Sequence, residues 1–112
     1  LKFSYPNKKI EKTFTDYNQM QKKLKFDWVR AIKKLINQLE ASDNFGVFLS
    51  LGLGHPESLS GYKIPTYSLR ITANVRLIIE LKTDDEDVKN CEEIEVKGVC
   101  DYHGDKENWY IP

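Results

Sequence analysis

Residues 67–81 read YSLRITANVRLIIEL, and the way this stretch folds decides the architecture. Tyr67, Leu69 and Ile71 alternate with Ser68, Arg70 and Thr72; Val75, Leu77, Ile79 and Leu81 alternate with Arg76, Ile78, Glu80 and Lys82. A period of two predicts two strands with an apolar face each, and the break at Thr72, Ala73 and Asn74 predicts a hairpin between them. A three-residue loop, with Asn74 in the left-handed conformation that asparagine tolerates, sets Ile71 opposite Val75, Leu69 opposite Leu77 and Tyr67 opposite Ile79. A two-residue turn would mix arginine with the apolar set, because a slip of one residue reverses every side chain. The favoured register also places Arg70 directly opposite Arg76.

Beyond the hairpin and the acidic turn DDEDVKN (84–90), a last strand is predicted from about Glu92 to His103. Unbroken alternation puts Ile94, Val96, Cys100 and Tyr102 on one face and Glu93, Glu95, Lys97, Val99, Asp101 and His103 on the other. Before the hairpin the period changes. KFSY (2–5) suits a short strand ending at Pro6, whereas Ile10, Phe14, Tyr17, Met20 and Leu24 recur at the spacing of one helix face. A second helix, with Asp27 as its N-cap, carries Trp28, Val29, Ile32, Leu35, Ile36 and Leu39 inward and Arg30, Lys33, Lys34, Asn37 and Gln38 outward. ASDNFG (41–46) ends it, and a loop containing LGLGHP (51–56) and ESLSGYKIP (57–65) leads to the hairpin. Its glycines make no nucleotide-binding fingerprint, since they follow no strand and open no helix. The order strand, helix, helix, three strands predicts an α+β sandwich: a mostly antiparallel sheet packed on a helical hairpin, in one domain over residues 1–112.

Composition sets the outer limits. With 40% apolar and 30% charged residues the chain is neither disordered nor membrane-like, and its longest apolar runs fall far short of a span. LKFSYPNKK (1–9) has no signal-peptide apolar stretch, so a cytoplasmic protein is expected. Cys91 and Cys100 lack a CxxC spacing and are expected to be buried thiols. The net charge is zero, but it is unevenly placed. Residues 1–40 hold ten Lys or Arg against four Asp or Glu, whereas residues 83–112 hold three against ten. Two surfaces of opposite sign are expected.

The unbroken alternation gathers Arg70, Arg76, Asp101 and His103 on the open sheet face. Two facing arginines repel unless an anion lies between them, and a phosphate fits their planar fork. The alternative is that each pairs with a glutamate such as Glu80 or Glu95. A histidine near an aspartate, with cations for phosphate charge, suits cleavage of a phosphodiester. RNA supplies its own nucleophile in the 2′-hydroxyl, so neither metal nor other cofactor is expected. His55 is the candidate second proton-transfer group, held extended in its loop by Pro56.

The ordered set NKKIEK (7–12), GLGHP (52–56), YSLRITANVRLIIEL, an acidic turn and IEVKGVCDYH (94–103) resembles the HigB-type killer toxins of the RelE/ParE superfamily across nearly the whole chain. The resemblance implies a RelE-like toxin of a type II toxin-antitoxin system. Such a toxin is a ribosome-dependent endoribonuclease that cleaves messenger RNA and is held inactive by a helix-turn-helix antitoxin. It implies catalytic roles for His55, Arg76, Asp101, Tyr102 and His103, and phosphate contacts for Arg70 and Lys63. Other functions remain open: a ParE-like toxin that poisons DNA gyrase, or a degenerate toxin that only binds antitoxin. Eight residues, DKENWYIP (105–112), follow the CDYH motif and its glycine; Trp109 and Tyr110 could stack on a base or pack over the sheet edge.

Overall fold

In the structure, a computed structural model that describes residues 1–103 and 106–111, β3 (Thr66–Arg70) and β4 (Val75–Leu81) pair antiparallel in the expected register. Tyr67 faces Ile79, Leu69 faces Leu77, and Arg70 faces Arg76. The turn closes by a different device from the one expected. Asn74 is not left-handed; instead the Ile71 and Thr72 N–H groups donate to the Val75 carbonyl at 2.9 and 3.0 Å, and the Val75 N–H donates to Thr72 Oγ1 at 3.0 Å. A threonine hydroxyl closing its own turn removes the need for a positive φ.

The remaining strands are β1 (Lys2–Ser4), β2 (Glu57–Leu59), β5 (Glu93–His103) and β6 (Lys106–Ile111). The sheet runs β1-β5-β4-β3-β2, with β6 also on β5. Every pairing is antiparallel except β1 with β5. Because β4 occupies one edge of β5, β1 and β6 share the other, β1 at Glu93–Glu95 and β6 at Val99–His103. The protein is thus an α+β domain with a mixed, mostly antiparallel sheet. Strands β2 and β6 lie in segments expected to be loop and tail; Glu57–Leu59 is too short to show a period, and Trp109-Tyr110-Ile111 breaks alternation.

The helices are α1 (Lys8–Thr15), α2 (Tyr17–Gln21), α3 (Phe26–Ala41) and α4 (Phe45–Ser50). The first predicted helix is therefore two. Asp16, extended at φ −124°, ends α1 and caps α2 by accepting from the Asn18 N–H at 3.1 Å. The apolar spacing survives the break, so periodicity alone could not reveal it. Asp27 is not the cap of α3; Lys25 precedes the helix without a side-chain cap, and Asp27 sits in the first turn, where the positive end of the helix dipole favours it. Asn44 caps α4, which was expected to be loop, by accepting from the Val47 N–H at 2.9 Å. Among the described residues, no helix is long and apolar enough to cross a membrane.

One core joins the layers: Phe14, Ile32, Leu35, Ile36, Leu39, Phe45 and Phe48 pack on Leu69, Leu77, Ile79, Leu81, Ile94 and Val96. Cys91 and Cys100 are both buried, with no disulfide between them.

The last strand departs from unbroken alternation at one point. Ile79 faces Val96 but Ile78 faces Gly98, so Lys97 is an extra residue in a β-bulge. From there on the faces exchange. Val99 enters the core, fully buried and opposite Leu77, while Cys100 pairs with Arg76 on the other face. Asp101 then stands opposite Val75, on the side that faces the helices, and not with Arg70 and Arg76 as expected. Gly98 makes this possible: its φ is 152°, and a Cβ there would lie 1.8 Å from the Ile111 carbonyl oxygen.

The face away from the helices carries an ion-pair network. Lys97 Nζ lies 3.1 Å from Glu95 Oε2 and 3.6 Å from Glu80 Oε2, and Lys82 Nζ lies 3.7 Å from Glu95 Oε1. Burial pushes the Glu95 carboxyl up, but the Lys97 hydrogen bond and the charges of Lys97 and Lys82 outweigh it and hold the pKa below the usual value. Burial likewise pushes Lys97 down, and the Glu95 hydrogen bond with the Glu80 and Glu95 charges raises it on balance. A lowered carboxyl stabilises above its unfolded pKa of about 4.3, and that contribution is lost as pH falls through the folded value. A raised ammonium stabilises below about 10.4 and is lost as pH rises through its folded value. The network's own share of stability should therefore be level between about pH 5 and 10, read as the difference between wild-type and Lys97→Met melts across pH, about 1 kcal/mol or less. A Lys97→Met melt that matches wild type at pH 7 and at pH 4 would remove the network from the stability of the fold.

Candidate active site

The loop before β2 coils tightly. Gly52 and Gly54 have φ of 65° and 72°, and a Cβ on Gly54 would lie 2.9 Å from Leu35 Cδ2, so the backbone runs against α3 as only glycine allows. The Arg70 N–H donates to the Gly54 carbonyl at 2.7 Å, which pins the loop to the end of β3. His55 follows with φ 43°, the only positive φ at a non-glycine among the described residues. It is left-handed rather than extended: the Gly54 clamp on Arg70 and the pairing of Glu57 with Ser68 run along β3 in the same antiparallel sense but one residue out of step, and taking up that extra residue overrides the preference Pro56 imposes. A non-glycine held there costs about 1–2 kcal/mol, so the fold fixes the place of this histidine at some expense.

His55 and Arg70 line one cleft of about 250 Å³ together with Ala31, Lys34, Leu35 and Gln38 of α3, Leu53, Gly54 and Ile71. Two of the seven expected site residues are thus brought together, and the cleft adds Lys34 and Gln38. Both belong to the outward face of α3 legible in the sequence. That a loop 20 residues downstream in the chain folds against them is a tertiary fact with no local signal.

Asp101 lies at the same end of the sheet. It faces Val75, and Val75 in turn accepts from the Ile71 N–H, so two interstrand steps, roughly 10 Å, separate the Asp101 backbone from a lining residue of the His55 cleft. Tyr110 OH donates to Asp101 Oδ2 at 3.2 Å. Burial, the hydrogen bond and the Asp101 charge raise the Tyr110 pKa. The Tyr110 ring packs edge-on against Trp28 of α3 with centroids 5.2 Å apart, and Lys25 Nζ stands 5.2 Å from the Trp28 ring. Of the two expected fates for this aromatic pair, Tyr110 packs back on the domain.

Arg76 is the cross-strand partner of Arg70 but does not line the His55 cleft. It lines a second cleft of about 250 Å³ with Glu57, Leu59, Ser68, Ala73 and Asn74. Its Nη2 is 3.9 Å from Glu57 Oε1 and donates to the Ala73 carbonyl at 3.5 Å, and its buried Nη1 has no hydrogen-bond partner among the described residues. Arg76 thus pairs with a glutamate, as the alternative expected, but with Glu57 and not with Glu80 or Glu95, whose carboxylates lie beside Lys97. Lys63 is exposed in the β2–β3 connection, at the opposite end of β3 from Arg70 and roughly 14 Å away along the strand. The backbone of β5 carries Tyr102 and His103 beyond Asp101, paired with Glu107 and Lys106; their side chains, and the expected roles of both, lie outside the described residues.

No protein-family model, curated protein or solved structure matches this chain.

Proposed function

We propose that the protein is a RelE-like, HigB-type toxin of a type II toxin-antitoxin system: a cytoplasmic, ribosome-dependent endoribonuclease that cleaves messenger RNA through the RNA 2′-hydroxyl. One observation carries the reading: a histidine held in a costly backbone conformation shares a small open cleft with Arg70 and Lys34. A cleft of about 250 Å³ is too small to enclose a whole ligand and suits one segment of a larger chain. In this reaction a base takes the 2′-hydroxyl proton, the oxygen attacks phosphorus, the bond to the 5′ oxygen breaks, and an acid protonates that oxygen. The products are a 2′,3′-cyclic phosphate and a 5′-hydroxyl.

His55 takes one proton-transfer role and His103 the other; Arg70 with Lys34 meets the charge that builds on the phosphate. Asp101, on the same side and end of the sheet, orients or tunes a neighbour, and Tyr102 contacts the substrate. Arg76, the cross-strand partner of Arg70, contacts phosphate at the edge of the site, and Lys63 an outlying one. A helix-turn-helix antitoxin is the proposed inhibitor.

The test is messenger cleavage on programmed ribosomes, with the fragment ends analysed and gyrase supercoiling assayed in parallel. New fragments with 5′-hydroxyl ends are expected. Inhibited supercoiling with intact messenger would favour a gyrase poison instead, and 5′-phosphate ends would exclude attack by the 2′-hydroxyl.

A further inference from the structure

We propose that the groove between α2 and α3 guides single-stranded RNA into the His55 cleft, an inference that rests on reading that cleft as RNA-cleaving. The groove, about 610 Å³, is lined by Tyr17 and Phe26, by Arg30, Lys33 and Lys34, and by Gln38 among other polar residues. Lys34 and Gln38 also line the His55 cleft, so the two surfaces are continuous around α3. The chain has 17 Asp and Glu residues, yet among the described residues none lines either surface, while four cations do: Arg30, Lys33, Lys34 and Arg70. Glu40 is the carboxylate whose charge reaches Tyr17. A neutral protein with this arrangement concentrates its positive field along one path.

The aromatic residues distinguish the ligand. Phe26 is 61% exposed at the start of α3, with the Arg30 guanidinium 5.8 Å from its ring, and Lys33 Nζ stands 5.3 Å from the Tyr17 ring. An exposed phenylalanine beside cations suits a strand whose phosphates and unstacked bases are both available. A duplex hides its base faces, and an acidic protein segment gains little from an exposed phenylalanine between cations.

Fluorescence anisotropy with a short unstructured RNA tests this across a salt series. Four contacts predict a slope of log K against log salt of about −2.8, and Arg30→Ala/Lys33→Ala should make it shallower by about 1.4. Phe26→Ala should weaken binding roughly fivefold or more at an unchanged slope. A double variant that keeps both the wild-type slope and affinity overturns the proposal. So does polyglutamate that displaces the RNA while Phe26→Ala binds like wild type, an outcome that assigns the groove to an acidic protein partner. His55→Ala separates this inference from the functional reading. If wild type and His55→Ala bind RNA with these dependences and neither cuts messenger, the groove stands and the cleavage reading fails. If wild type cuts messenger and the groove variants bind as wild type does, the groove alone fails.

Discussion

His55→Ala is expected to slow messenger cleavage on programmed ribosomes by roughly 10² to 10⁴, a barrier increase of about 3 to 5.5 kcal/mol. The magnitude is that of one proton-transfer group removed while the cations of the cleft stay in place. A stability comparison accompanies it. Because His55 sits at φ 43°, His55→Gly should be the more stable of the two variants by about 1 kcal/mol, since alanine keeps the backbone strain that glycine relieves. Greater stability with lost activity would mark the position as one where the fold gives up stability for placement. If His55→Ala cuts messenger at the wild-type rate, the assignment of the cleft to proton transfer is wrong. Equal melting of the alanine and glycine variants would show that the positive φ carries no cost.

Gly98→Ala is expected to be the most destabilising single substitution in β5. A methyl at this position would meet the Ile111 carbonyl oxygen at 1.8 Å and the carbonyl carbon at 2.9 Å, and both atoms are backbone. Strand β6 cannot stay where it is. Its displacement exposes Val99 and Ile111, both buried in the core, and withdraws Tyr110 from Trp28 and Asp101. Overpacking of about 1–3 kcal/mol and backbone strain of about 1–3 kcal/mol together give a loss of roughly 2–6 kcal/mol. Urea unfolding measures it. A loss under about 1 kcal/mol would mean that β6 does not close over Gly98 as described.

The hairpin register was legible because both of its strands obey strict alternation and carry their arginines at matching positions. The helical apolar faces were legible from their own period, the three-to-four-residue spacing of one helix face. What escaped was every feature decided by a single residue acting against a pattern. Asp16 interrupts a helical period that continues through it, and Thr72 closes a turn that asparagine was expected to close. Above all, Lys97 enters β5 as an extra residue, and nothing in IEVKGVCDYH distinguishes a bulge from a plain strand except Gly98. That one residue moved Asp101 from the arginine face to the helix side. In the candidate site, His55 and Arg70 could be named from sequence, but their meeting with Lys34 and Gln38 depends on the Gly54 clamp, a contact between distant segments.

The parallel pairing of β1 with β5 also dictates an order of events. Ser4 faces Glu95, so this contact closes a loop of about 90 residues, at an entropic cost of about 4 kcal/mol on the (3/2)RT ln n scaling if nothing between them has yet formed. The β3–β4 hairpin closes over only a few residues and can form early, and β5 then adds to β4. Once those three strands and α3 are in place, most of that loop is already ordered and the residual closure is short. Strand β1 therefore docks late in folding, as the step that seals an edge already built, and substitutions in it should speed unfolding far more than they slow folding.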